Sequence, residues 1–223
     1  MATERELSTR IKSIKNISQV TSALAAVSAS KASRAQRQVE ATRSYAGKAF
    51  EILNNLASQP SVSETGHPLL SAREDIKCAI LILITADRGL SGAYNTNVIN
   101  LAMKFVDALN VPVRVITIGR KGRDLMVRRG YDVMASFDGM PDTPNLGNIR
   151  PTARIVTEEN LSGGADEVFV AYTDFVNLIN RNPVVRQLLP LKPLDLEGMA
   201  VAEYVESANV VAASELVYDY EPN

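Results

Sequence analysis

Residues 3–58 contain no proline and a single glycine, Gly47, so nothing in that stretch interrupts a helix. At about 1.5 Å per residue it would form one helix roughly 80 Å long, about twice the width of a compact domain of this size. Alternate steps of four and three from Leu7 meet Ile11, Ile14, Ser18, Thr21, Ala25, Ser28, Ala32, Ala35, Val39, Thr42, Ala46, Ala49, Leu53 and Leu56. That stripe carries no charge, which is the pattern of a coiled-coil seam. Its ends are large aliphatics and its middle is Ala, Ser and Thr, so a partner backbone can come close there. Ile17, Val20, Leu24 and Val27 form a second row that widens the apolar face. An amphipathic helix of ordinary length would lie on its own domain. A globule built from 223 residues cannot cover one this long, so the sequence predicts a helix that needs a partner.

Charge supports the same division. Residues 1–48 hold nine basic and three acidic residues, a local charge of +6, and since the chain carries −1 in total the remainder carries −7. A basic rod on an acidic body implies that the rod meets an acidic surface, protein or nucleic acid. Cys78 is the only cysteine and lies in an apolar run, which excludes internal disulfides and reads as a small buried hydrophobe. No apolar run approaches eighteen residues, and Glu4 and Glu6 argue against a transit peptide, so membrane association is expected only through partners.

Proline at 60 and 68 brackets a linker that holds His67, the sole histidine, which has no metal-ligating companion. Beyond it, IKCAILILIT (Ile76–Thr85) predicts a strand covered on both faces. A helix is expected from about Asn97 to Leu109, a strand over Val111–Gly119, and a short basic helix over Arg120–Arg129 ended by Gly130. A weaker strand follows at Tyr131–Phe137. Helical spacing resumes from Ile149 to Leu161, stopped by Gly163 and Gly164, and further strands are predicted at Asp166–Tyr172 and Val184–Leu191. The eleven residues between the last two are too few for a helical crossover, so those strands should be antiparallel neighbours. The fold class predicted is α/β: a long N-terminal coiled-coil helix plus a three-layer Rossmann-like domain whose five-stranded, mostly parallel sheet has the order 3-2-1-4-5. The domains expected are a shaft helix (1–58), a linker (59–75), the α/β domain (76–193) and an acidic tail (194–223) with a possible strand at Ala213–Tyr220.

Chemistry is sparsely signalled. TADRGLSGAYN (Thr85–Asn95) lies at the end of the first strand, where doubly wound folds bind ligands. It offers Gly89 and Gly92 for close backbone approach, Asp87 and Arg88 as a charged pair, and the Ser91 hydroxyl. It is neither GxGxxG nor GxxxxGK[ST], so a tight turn or a partner contact is the better reading. GxSxG and CxxC are absent, and no carboxylate spacing singles out a hydrolytic pair. Lys31, Arg34 and Arg37 form a basic spiral leading along the heptads, as in zipper proteins, but no aromatic precedes Tyr45 and the acidic body would be repelled by phosphate. A small-ligand α/β enzyme and a coiled-coil nucleic-acid binder are therefore the alternatives to an assembly subunit.

Three stretches resemble a known family: RIKSIKNISQVTSALAAVSASKASRAQ (Arg10–Gln36), with Arg10, Ile11, Lys12, Lys15, Asn16, Thr21, Val27, Lys31, Arg34, Ala35 and Gln36 at matching places; the DRGLxG of TADRGLSGAYN; and VVRQLLPL (Val184–Leu191). They are similar to the gamma subunit of the F-type ATP synthase, the central rotor shaft. Leu24 and Ala26 stand where the family usually has methionine, and Ala25 where it often has a basic residue. The family also continues past YEPN (Tyr220–Asn223) into a second long helix returning along the first, a C-terminal helix missing here; the bare seam favours truncation. The resemblance implies a non-catalytic subunit without a cofactor or metal that couples ion flow to ATP synthesis or hydrolysis. It implies contacts with the alpha and beta subunits of the catalytic head through Thr21, Lys31, Arg34 and Gln36. Tyr218 and Glu221 would lie toward the epsilon subunit and the membrane c-ring. Nucleic acid and direct membrane insertion play no part in that expectation, and the location implied is peripheral, on the cytoplasmic face of a bacterial cell membrane.

Overall fold

The computed structural model describes residues 4–57, 69, 71–73 and 75–191. The chain divides into two compact units at Arg43/Ser44. In the described residues the predicted shaft is a single helix, α1 (Glu4–Ala57), of 54 residues. Glu4 and Glu6 in its first turn suit the positive end of the helix dipole. The expected linker at 60–68 with His67, the possible strand at Ala213–Tyr220, and Tyr218 and Glu221 lie outside the described residues.

The α/β body runs β1 (Ala79–Ile84), α2 (Tyr94–Ala108), β2 (Val113–Ile118), α3 (Arg120–Arg128), β3 (Asp132–Phe137), α4 (Leu146–Leu161), β4 (Glu167–Phe175) and β5 (Arg181–Leu189). The sheet order is β3-β2-β1-β4-β5, as the alternation of elements predicts. β1 is parallel to β2 and β4, β3 is parallel to β2, and β5 pairs antiparallel with β4.

The central strand is apolar on both sides because both sides are covered. Leu81 and Leu83 face α2 and α3, packing with Val98, Ala102, Val115, Met126 and Ala171. Ile80 and Ile82 face the other way, with Ile116, Val156 of α4, Val168 and Leu189. Ile80, Leu81 and Leu83 have no exposed surface, and each contributes about 2 kcal/mol of burial energy. Phe105 of α2 meets Phe169 of β4 edge-on, with ring centroids 4.8 Å apart. Cys78, just before β1, is half-buried rather than enclosed, because it sits where the strand emerges toward Arg114.

Glycine ends two of the helices. After α3, Gly130 (φ 83°) donates to the Val127 carbonyl while Tyr131 donates to Met126. After α4, Gly163 (φ 81°) and Gly164 donate to Asn160 and Glu159 in the same way. Both are Schellman closures, which require a left-handed residue that glycine adopts without steric cost.

Helix starts differ from the sequence expectation. α2 begins at Tyr94 rather than Asn97, and no side chain caps it. α4 begins at Leu146 rather than Ile149, because Asn145 and Asn148 cap each other reciprocally. β4 and β5 each reach three residues further toward their hairpin than expected, to Phe175 and from Arg181, while β5 ends at Leu189 rather than Leu191; Pro183 is tolerated in β5 because that strand is the sheet edge.

The segment entering the body is held at its base. Asp166 accepts from Arg73 (2.7 Å) and from the backbone N–H groups of Lys77 (2.6 Å) and Cys78 (3.1 Å). Its side chain is 6% exposed. Arg114 pairs with Glu159 at 2.7 Å on the same side of the sheet. Leu191, leaving β5, donates its N–H to the Leu69 carbonyl at 2.9 Å.

Candidate functional site

Two surfaces carry the residues singled out by sequence: the face of α1 and the turn after β1. On α1 the seam is exposed along its first half. Leu7 is exposed, as are Ile11, Ile14, Ser18, Thr21, Ala25, Ser28, Ala32 and Ala35. The second row is open to the same degree, with Ile17 64% and Leu24 61% exposed. Thr42, a polar seam member, donates its hydroxyl to the Gln38 carbonyl at 2.9 Å, so its polar group is already satisfied within the helix and a partner side chain can cover it at little cost.

The residues expected to touch partners share α1 but not one environment. Thr21, Lys31 and Arg34 are exposed, while Gln36 is half-buried and donates to Glu40 at 2.9 Å. Arg37 folds back onto the Ser33 carbonyl at 3.4 Å.

The turn after β1 works differently from its sequence reading. Asp87 does not pair with Arg88. Its Oδ1 accepts from the backbone N–H of Arg120 and its Oδ2 from that of Gly139, both at 2.9 Å. One carboxylate thereby clips the loops that follow β2 and β3 to the loop that follows β1. These are the loops that would close over a ligand in a doubly wound fold, and here the carboxylate's two oxygens are engaged in holding them. Thr85 reinforces the clip, accepting from the Gly122 N–H at 2.9 Å. Gly119 (φ 104°) packs so closely that a Cβ there would lie 2.1 Å from the Thr85 carbonyl oxygen.

Asn95, at the start of α2, completes the turn. Its Oδ1 accepts from Ala86 at 2.9 Å and its Nδ2 donates to Ser91 Oγ at 3.1 Å. Thr85, Asp87, Ser91 and Asn95 are thus occupied in shaping the loop. Arg88 has no side-chain partner among the described residues, and Leu90, at φ 62°, points fully outward. No sequence signal identifies the clip, because its donors are backbone groups 33 and 52 residues away.

Among the described residues no cluster of three potential metal ligands occurs, and no helix is long and apolar enough to cross a membrane. A long helix with an open heptad face, followed by a doubly wound body whose loop carboxylate ties loops together, defines a scaffolding subunit of a larger assembly. The comparisons say which assembly. The family profile described as ATP synthase matches residues 3–223. The chain is 37% identical over 216 residues to the ATP synthase gamma chain of Desulforamulus reducens, covering 96% of this chain and 75% of that one. To the gamma chain of Pelotomaculum thermopropionicum it is 38% identical over 225 residues, covering 100% and 78%. A solved chain of the Tetrahymena thermophila mitochondrial ATP synthase central stalk and c-ring has the same fold, with a TM-score of 0.59 at 22% identity over 89% of this chain and 80% of that one.

The chain belongs to the ATP synthase gamma-chain family. It is accordingly a non-catalytic subunit, as the resemblance of its N-terminal helix and DRGLSG turn implies.

Proposed function

We propose that this chain is the central-stalk rotor of an F-type ATP synthase, coupling ion flow through the membrane ring to ATP synthesis or hydrolysis in the catalytic head by rotation. The observation that carries this reading is the unbroken 54-residue α1, whose uncharged seam is exposed along its first half, in a chain of the gamma family. A shaft must resist twisting, and a coiled coil does so through interlocked side chains; Ala25, Ser28 and Ala32 keep it slender within a sleeve of partner subunits. The cations of α1 suit a surface that must grip and release. Exposed pairs contribute roughly 0–1 kcal/mol each, enough to bias a partner's conformation without trapping it.

In this reading Thr21, Lys31, Arg34 and Gln36 engage the alpha and beta subunits of the head. The α/β body, with Tyr218 and Glu221 in the tail, is directed to the epsilon subunit and the c-ring. The working parts are the shaft (1–58), linker (59–75), α/β domain (76–193) and tail (194–223). No nucleic acid is involved, and the subunit is peripheral to the cytoplasmic face of a bacterial cell membrane. The test is Lys31→Ala combined with Arg34→Ala in the reconstituted enzyme. ATP-driven ion pumping should fall relative to ATP hydrolysis while the melting of the free chain is unchanged. Full pumping by the double variant would reject the assignment of those two charges.

A further inference from the structure

The crevice at the carboxyl ends of β1 and β4 is the feature of the body that the rotor reading leaves unused. β1 and β4 are neighbours in the sheet, while β2 and β3 lie on the far side of β1, so the strand order reverses between them. At such a reversal a doubly wound fold leaves an opening suited to a ligand. A cavity of about 290 Å³ opens there, between the start of α2 and the β4–β5 hairpin.

Its polar lining is made of hydrogen-bond donors. Ser91, Tyr94, Asn97, Thr173 and Arg181 supply them, and no carboxylate is among the lining residues. Arg181 forms no ion pair among the described residues. Ser91 Oγ accepts from Asn95 at 3.1 Å and keeps its own proton to donate. Burial raises the Tyr94 pKa, so the phenol holds its proton. Thr173 Oγ1 is shut off from solvent and has no hydrogen-bond partner. A shielded hydroxyl left unpaired costs stability, and a ligand that accepts from it removes that cost.

Field and shape agree with the donor set. α2 begins at this cavity without a side-chain cap, so the positive end of its dipole adds to the charge of Arg181. Ile179 and Pro183 give the lining an apolar part. Pro183 is the register partner of Thr173 and brings no N–H of its own. Asn177 Oδ1 accepts from the N–H groups of Ile179 (2.9 Å) and Asn180 (2.7 Å), so the hairpin carrying Ile179 and Arg181 is shaped before a ligand arrives.

We propose that this cavity binds a small phosphate monoester, its phosphoryl oxygens meeting Arg181 and the hydroxyls of Ser91 and Thr173, its organic group lying against Ile179 and Pro183. A guanidinium fork matches phosphate oxygens two at a time, and hydroxyl donors complete their coordination. A divalent cation is the wrong ligand, since it needs carboxylate or carbonyl oxygens and meets a cation instead. The site lies wholly within the α/β body and stands or falls apart from the rotor reading.

The test titrates phenyl phosphate into the full chain and follows backbone amide shifts by solution NMR. Saturable shifts confined to residues 91–97 and 173–183 are expected. Arg181→Ala, an exposed change, should weaken binding about tenfold or more. Thr173→Val removes the unpaired hydroxyl at nearly constant shape. It should weaken binding about threefold while the melting temperature holds or rises, which a purely structural hydroxyl would not do. Benzyl alcohol and inorganic phosphate should bind more weakly than the ester, because each lacks one half of the ligand. Absence of saturable shifts, shifts centred elsewhere, equal affinity in Arg181→Ala, or either half-ligand matching the ester would overturn the proposal. Tighter association with phosphatidic acid vesicles than with phenyl phosphate would assign these donors to a lipid surface and overturn it too.

Discussion

Asp166 ties the segment entering the body to the sheet through Arg73 and the N–H groups of Lys77 and Cys78. Burial alone would raise its pKa, but Arg73 and the N–H groups of Lys77 and Cys78 outweigh burial and hold the carboxyl below its ordinary range. A carboxyl with a depressed folded-state pKa stabilises fully above its unfolded value, and that contribution is lost as pH falls through the folded value. Asp166→Asn should therefore cost about 3 kcal/mol at neutral pH, and the gap to the parent protein should narrow on acidification below the ordinary carboxylate range. Urea melts at pH 7 and pH 3 measure both. Gly119 is the other sensitive position. With φ at 104° and the Thr85 carbonyl 2.1 Å from any added Cβ, Gly119→Ala should lose about 3 kcal/mol, read as a lower urea midpoint with an unchanged slope.

At the scale of elements, α1 carries the most direct prediction. Ala32 is exposed and leucine is a good helix former, so Ala32→Leu should change the stability of the free chain by no more than about 0.5 kcal/mol. In the assembled enzyme the bulkier seam should impair ATP-driven rotation, scored by ion pumping. The elements also show what a sequence can disclose. β1 was legible because a strand covered on both faces must be apolar throughout, and α1 because its seam repeats over many turns. The ends of α3 and α4 were legible because left-handed closures select glycine. The starts of α2 and α4 were not. One has no side-chain cap and the other is capped by an Asn–Asn pair instead of the usual Ser or Thr with Glu. The turn after β1 could be located from its motif, yet the work of Asp87 could not, since a carboxylate that binds distant backbone leaves no pattern in the side chains it serves.

For the whole molecule, charge is distributed so that the first 48 residues hold +6 while the chain nets −1. A basic rod seeking an acidic sleeve should associate faster in dilute salt. Capture of the chain by alpha and beta subunits should slow about tenfold or more between 0.05 and 0.5 M salt, measured by stopped-flow, as the ionic atmosphere shortens the reach of each charge. Because β5 runs antiparallel to β4, its one neighbour, the chain leaving the sheet returns to the segment that enters it, with Leu191 bonded to Leu69. Mechanically, that bond joins the chain leaving the sheet to the segment entering it, so a tug on either is shared by the other instead of falling on one end strand alone.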